Sequence, residues 1–186
     1  MRQLIAFIHV SLDGFYADAN GDMSWAKRDD PEFNAFTDAN ATAGGMLVFG
    51  RVTYDLMASF WPTPQAQQMM PVVAERMNNL EKIVFSRTLN EASWNNTRVL
   101  NGDLATEVRN LKGQSGAGMV ILGSGEIVTQ LTQVGLIDEI QVVVNPILLG
   151  SGKRLFDGVE GKLPLKLTSS RVFRNGLVYL CYQPAG

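Results

Sequence analysis

The sequence predicts an α/β fold, a largely parallel sheet covered by helices on both faces and finished by an antiparallel pair. Three observations lead there. Short apolar runs rich in β-branched and aromatic residues recur along the 186 residues, with Gly or polar punctuation. Segments of helical period stand between several of them. The last two runs are joined through Asn175-Gly176, a hairpin dipeptide. Strands apolar on both faces that alternate with helices imply a parallel sheet buried on both sides.

The elements follow in chain order. QLIAFIHV (3–10) is a first strand: its apolar stretch is short, is interrupted by His9, and runs directly into SLDG (11–14) with no cleavage-type segment. In DPEFNAFTDANATA (30–43), Asp30 before Pro31 supplies an N-cap with proline in the first turn, and Phe33 and Phe36 share a face with Asn40. GMLVFG (45–50) and KIVFSR (82–87) are buried strands, the first leading into a helix that starts in GRVTYDLM. The apolar residues of FWPTPQAQQMMPVV (60–73) serve either as a partner surface or as the roof of a cleft. In GDLATEVRNLK (102–112), Leu104, Val108 and Leu111 form one stripe behind the N-cap Asp103. MVILG (119–123) is a strand, and in SGEIVTQLTQVG (124–135) Ile127, Val128, Leu131 and Val134 form a buried helix face stopped by Gly135. EIQVVVNPILLG (139–150), LKLTSSRVF (165–173) and GLVYLCYQ (176–183) complete the sheet.

Composition narrows the function classes. With 46% hydrophobic residues the chain can bury one sizeable core, so residues 1–186 read as a single domain. The formal net charge is −2 and no block of five or six like charges occurs, which gives no footprint for nucleic acid. Cys181 is the only cysteine, so neither an intrachain disulfide nor a cysteine zinc site can form. No His, Cys or carboxylate cluster has ligand spacing, and no metal is expected. No run reaches the ~18 apolar residues that span a membrane. A cytoplasmic protein is expected.

In an open α/β sheet, ligands bind outside the carboxyl ends of the strands. Four strand-end turns carry glycine or polar residues there: SLDG, GRVTY (50–54), SRT (86–88) and GSGE (123–126). In the last, Gly123 and Gly125 either let the backbone meet a phosphate at a helix start or serve the turn alone. The dinucleotide fingerprint is incomplete, because its third glycine position holds Val128. Arg51 and Thr53 could hold a phosphate, the alternative being that Thr53 caps its own helix and Arg51 is solvated. Ser86 and Arg87 suit the 2′-phosphate that distinguishes NADP from NAD.

Other motifs are excluded. GSGKRLF (150–156) lacks the first glycine of a P-loop, Ile147 standing there, and has Arg154 where a Ser or Thr would bind magnesium. Ser124 is flanked by Leu122 and Glu126, so it is no nucleophile elbow. His9, the only histidine, reads as a satisfied core or pocket-wall residue. Of Asp29, Asp30 and Glu32, Asp30 is best read as a cap. A carboxyl facing Trp25 and Phe33 would have a raised pKa and could donate a proton.

The order of these motifs resembles the dihydrofolate reductase-like family: SLDG and a following Trp, an acid and Phe on a helix, GRxTY, FSR, ILGSGE, GLIDEIQVVVNPILLGSGKRLF and a final antiparallel pair. Within it the chain is most similar to the reductase domain of the bacterial riboflavin-biosynthesis deaminase-reductase and its stand-alone relatives, over almost its whole length. The resemblance implies a dihydrofolate reductase-like three-layer fold, NADPH as hydride donor, a small pyrimidine- or pterin-like substrate, and commonly a homodimer. It puts Gly50, Arg51 and Thr53 near the cofactor phosphates, Ser86 and Arg87 near the 2′-phosphate, and Gly123, Ser124, Gly125 and Glu126 under the pyrophosphate. Val10 and Trp25 would flank the nicotinamide, with Asp13 shaping the loop between them, and Asp29 would deliver the proton.

Two departures leave the substrate open. Pyrimidine reductases place a substrate-contacting glutamate where Gly123 stands. Asp29, Phe33 and Thr37 fit the folate-reductase spacing, yet an ungapped count back from Gly50-Arg51 reaches Asn34. The reading from another class is a binding or regulatory protein that keeps the fold and a nucleotide without reducing anything.

Overall fold

The computed structural model describes residues 1–26, 30–41 and 45–185. The chain opens with β1 (Leu4–Ser11) and the short β2 (Phe15–Ala17), then a 3-10 turn at Ser24–Ala26 that packs against β1. Helix α1 (Pro31–Ala41) follows, and Asp30 caps it as expected, its carboxylate accepting the Phe33 amide at 2.8 Å. Next come β3 (Met46–Gly50), α2 (Arg51–Phe60), α3 (Pro64–Met69), α4 (Pro71–Asn79), β4 (Lys82–Phe85), β5 (Thr97–Leu100) and α5 (Leu104–Gly113). The chain then continues through β6 (Met119–Leu122), α6 (Gly125–Gln133), β7 (Glu139–Asn145), β8 (Lys153–Arg154), β9 (Leu165–Val172) and β10 (Val178–Pro184).

Eight strands form one sheet in the order β5-β4-β3-β6-β1-β7-β10-β9. All pairings from β5 to β7 are parallel, and β10 is antiparallel to both β7 and β9. β2 and β8 make a separate antiparallel ribbon. The mostly parallel sheet with an antiparallel finish is therefore the one the sequence predicts.

Strand alternation divides the core. Leu4, Ala6, Met46, Val48, Ile83, Met119, Ile121 and Ile140 pack on one face against Val108 and Leu111 of α5 and Ile127, Val128 and Leu131 of α6. The other face carries two clusters. Leu47, Phe49 and Val84 meet Tyr54, Val73 and Met77 of α2 and α4, while Phe33 of α1 meets Val143, Phe173, Leu177 and Tyr179. At the amino end of the sheet Asp138 accepts the Leu4 amide at 2.7 Å and pairs with Lys112, fixing α5 to the sheet.

The structure refines the expected elements in several places. Residues 60–73, to which the sequence pattern assigns no element, hold α3 and the start of α4. Each opens on a proline at N1, and Thr63 caps α3. β7 stops at Asn145 rather than reaching Gly150, because Pro146 has no N–H to continue a ladder. Val134 is exposed rather than buried, since α6 ends at Gln133 and Val134 falls on its C-cap. Finally, Lys82 at the start of β4 is buried. Its ammonium donates to the carbonyls of Met77, Asn78 and Leu80 at 2.8, 3.1 and 2.7 Å, closing the end of α4. Burial pushes its pKa down to about 8, and the three carbonyls are what make the charged form tolerable there.

Candidate functional site

Because six consecutive strands of the sheet run parallel, the turns that follow β1, β3, β4, β6 and β7 emerge on one rim. The expected site turns meet there through specific bonds. The Ser124 hydroxyl accepts the Gly50 amide at 2.9 Å, and the Thr53 hydroxyl accepts the Ser124 amide at 3.2 Å. This reciprocal pair ties the start of α2 to the start of α6. Arg51 donates to the Thr88 hydroxyl at 3.2 Å and pairs with Asp55 at 2.6 Å, linking α2 to the turn after β4. In that turn the buried Ser86 accepts the amides of Thr88 and Leu89 at 3.2 and 2.9 Å, and its hydroxyl lies 3.5 Å from that of Thr88. Arg87 is exposed. Its charge adds to the Thr106 hydroxyl and amide in holding the Asp103 carboxyl below the usual range.

The helix starts differ according to where they lie. α1, α3 and α5 begin with side-chain caps from Asp30, Thr63 and Asp103. α2, α4 and α6 have none, and of these α2 and α6 start at the rim, directly after β3 and β6. Thr53 does not cap α2: it sits in the third position of the helix and reaches across to Ser124. Ser124 itself is left-handed, with φ of 41°, and Gly123 before it has φ of +70°. Gly125 is required by close approach, since a Cβ there would stand 2.4 Å from the Tyr16 ring. Its bare face is thus covered by an aromatic from β2, a contact invisible to sequence spacing.

Asp13 holds the turn after β1. Its carboxylate accepts from the Ser11 hydroxyl at 2.6 Å and from the amides of Leu149 and Gly150 at 3.1 and 2.8 Å, binding two rim loops together. These bonds, led by Ser11, hold its pKa down to about 2. Val10 is buried on the strand face shared by Leu4 and Ala6, and its carbonyl accepts the Asn145 amide at 3.0 Å. Trp25 lies in the 3-10 turn and donates its indole N–H to the Asp22 carbonyl at 3.0 Å. Asn145, fully buried at the end of β7, also donates to the Val143 carbonyl, and its Oδ1 has no partner.

The acid candidates separate. Asp30 is spent on the helix cap. Glu32 accepts from Arg171 at 2.9 Å, which holds its carboxyl low and makes it unsuited to donate a proton. Asp29 lies outside the described residues.

His9 stands between Phe7 and Phe33, edge-on to both at 5.8 and 5.6 Å, with Asn145 Nδ2 at 3.4 Å from its Nδ1. Burial lowers its pKa from 6.5 to about 4. The folded state therefore favours neutral imidazole, so stability is unaffected above pH 6.5 and falls as the unfolded chain protonates below it. The expected loss is about 3 kcal/mol by pH 4. Urea unfolding at pH 7 and pH 4.5 checks this, and His9→Phe, which keeps the ring contacts, is expected to flatten the His9 part of the slope.

Two shallow hollows of about 420 and 280 Å³ lie along α4 instead, both touching Asn78. The Asn78 side-chain amide is already engaged with the Trp61 carbonyl and the Trp94 indole. The rim is the candidate site. Among the described residues no three His, Cys, Asp or Glu side chains gather as a metal site, and no helix is long and apolar enough to cross a membrane.

With this geometry in view, the likeness to known proteins is specific. Residues 2–179 match the family described as RibD C-terminal domain. The uncharacterized protein YyaP of Bacillus subtilis (strain 168) is 31% identical over 182 residues, covering 97% of this chain and 94% of its own. A crystal structure from Shewanella sp. PV-4, titled for riboflavin biosynthesis, superposes with a TM-score of 0.75 at 26% identity, covering 99% of each chain. A Thermotoga maritima diaminohydroxyphosphoribosylaminopyrimidine deaminase/5-amino-6-(5-phosphoribosylamino)uracil reductase gives 0.70 at 14% identity over 99% of this chain and 57% of that one. An Enterococcus faecalis dihydrofolate reductase complexed with NADP(H) gives 0.65 at 15% identity, covering 99% and 97%. The fold is that of the dihydrofolate reductases.

Proposed function

The chain belongs to the RibD C-terminal domain family, and on that premise we propose that it is an NADPH-dependent reductase of a small heterocycle. Its substrate class is that of the pyrimidine named for the Thermotoga relative, and the reaction is reduction of a C=N or C=O bond. One observation carries this reading. Two helix starts without side-chain caps, α2 and α6, converge on the carboxyl rim beside Arg51, Ser86 and Arg87. Unpaired amides at helix starts favour anions, and a dinucleotide with a third phosphate is a ligand of matching length and charge.

NADPH, when bound, supplies a hydride. The chain's own residues bind, orient and exclude water. Amides of α2 and α6 and the Arg51 guanidinium hold phosphates, and Ser86 and Arg87 take the 2′-phosphate. Asp13 keeps the turns after β1 and β7 in register, so that the reacting carbons can meet at roughly 3–3.5 Å. Asp29, or water ordered by it, gives the proton. His9, neutral and 3.4 Å from the Asn145 side-chain amide, lies edge-on to Phe33 of α1.

We place the protein in the cytoplasm and propose a homodimer. All eight residues of the edge strand β9 are exposed, Leu165, Leu167 and Val172 among them, an edge that monomers seldom leave bare. The test of function is loss of nicotinamide absorbance when the protein meets NADPH with 5-amino-6-(5-phosphoribosylamino)uracil, a dihydropterin or a related heterocycle. Turnover supports the reductase. NADPH binding with no turnover on any of them favours the nucleotide-binding protein without catalysis.

A further inference from the structure

We propose that Lys153 is a phosphate-binding cation of the dinucleotide site, held on Glu126 in the free protein and transferred to the diphosphate when the dinucleotide binds. The proposal rests on the reductase reading, and it gives a role to the GSGKRLF segment, which fits no P-loop.

The segment forms β8, and β8 is fastened to α6. Ala17 pairs with Lys153 and Phe15 with Arg154, whose guanidinium lies 4.8 Å from the Phe15 ring centre. Gly152 allows the contact, since a Cβ there would stand 2.1 Å from the Ala17 carbonyl oxygen. The Phe156 amide donates to Thr129 of α6 at 3.2 Å. Tyr16, between the two paired residues of β2, lays its ring on Gly125, the first residue of α6. The ribbon is thus fixed over the start of α6 from both sides.

This fastening sets the charges at that helix start. Glu126, the second residue of α6, accepts from Lys153 at 2.9 Å. Its carboxylate complements the helix dipole, but it also stands where an anionic ligand would approach. Lys153 cancels it. The two side chains are 51% and 70% exposed, so the pair itself contributes little and is readily exchanged. A diphosphate offers Lys153 a greater charge than the carboxylate does, within reach of the same flexible stem. Tyr16, whose ring covers Gly125, lies close enough to the pair for both charges to act on its hydroxyl, whose pKa is raised first by burial.

The two partners therefore act on the ligand in opposite directions. Titration with NADPH, followed by tryptophan fluorescence at low and moderate salt, is expected to show Lys153→Gln weakening binding about tenfold and lowering the salt dependence. Glu126→Gln is expected to tighten binding severalfold, because it frees Lys153 and removes a repelling charge. Thermal unfolding without NADPH should be nearly unchanged in both, which separates this role from a structural one. If both variants weaken binding alike, or neither changes it while the parent protein binds, Lys153 has no such role and the reductase reading stands. If the parent protein does not bind NADPH, both fall together.

Discussion

Gly152→Ala is expected to destabilise the protein by about 4 kcal/mol, the sum of a forced backbone contact and an unfavourable φ. Gly152 has φ of +138°, and the added Cβ would meet the Ala17 oxygen and the Asp18 backbone at 2.1 and 2.8 Å. Neither can give way without parting β2 from β8. Gly150→Ala is the matched control. It has φ of +75° but nothing within 4 Å of the new methyl, so only a backbone cost of about 1–2 kcal/mol is expected. Urea unfolding of the two variants measures the difference, and limited proteolysis between residues 146 and 158 reports whether the ribbon has opened. Equal losses in the two would mean that the ribbon is not clamped at Gly152.

Arg87→Ala is expected to weaken NADPH binding by roughly 10- to 150-fold while changing NADH binding by no more than about twofold. The reason is that charge-assisted hydrogen bonds are worth about 1.5–3 kcal/mol each and only NADPH carries the 2′-phosphate. Arg87 is exposed, and its charge reaches the exposed Asp103 cap, so its removal falls on solvated groups. Isothermal titration with the two cofactors checks it. Equal weakening of both would remove Arg87 from the 2′-phosphate and shift that role to Arg51.

The sequence carried the sheet and the three face-setting helices α1, α5 and α6 because their signals are local: a cap, a stripe, a run of β-branched residues. Asp30 and Asp103 cap as their spacing implies, and the strand ends that hold Arg51, Ser86 and Ser124 share a rim because parallel strands leave no other choice. What escaped is what tertiary contact decides. β2 and β8 are three and two residues long, too short to show a period, and they form only because Gly152 lets one backbone approach the other. β5 reads Thr-Arg-Val-Leu, a partly buried edge with a charge in its middle. Gly125 read either as a glycine for a ligand or as one for the turn alone, and the Tyr16 ring over its bare face had no sequence signal. Lys153 had no motif to mark it, since its partner Glu126 is 27 residues away. The carboxylates show the same limit: alike in chemistry and two residues apart, Asp30 and Glu32 are told apart by the amide and the guanidinium they meet.

The central claim is that the turns at the carboxyl rim jointly grip a phosphorylated dinucleotide, and a crystal structure of the NADPH complex tests it most directly. The account predicts the diphosphate within hydrogen-bonding distance of the first amides of α2 and α6, with the 2′-phosphate against Ser86 and Arg87. A dinucleotide seated elsewhere, such as along α4 beside Asn78, with Arg51, Ser86 and Gly125 untouched, would contradict it.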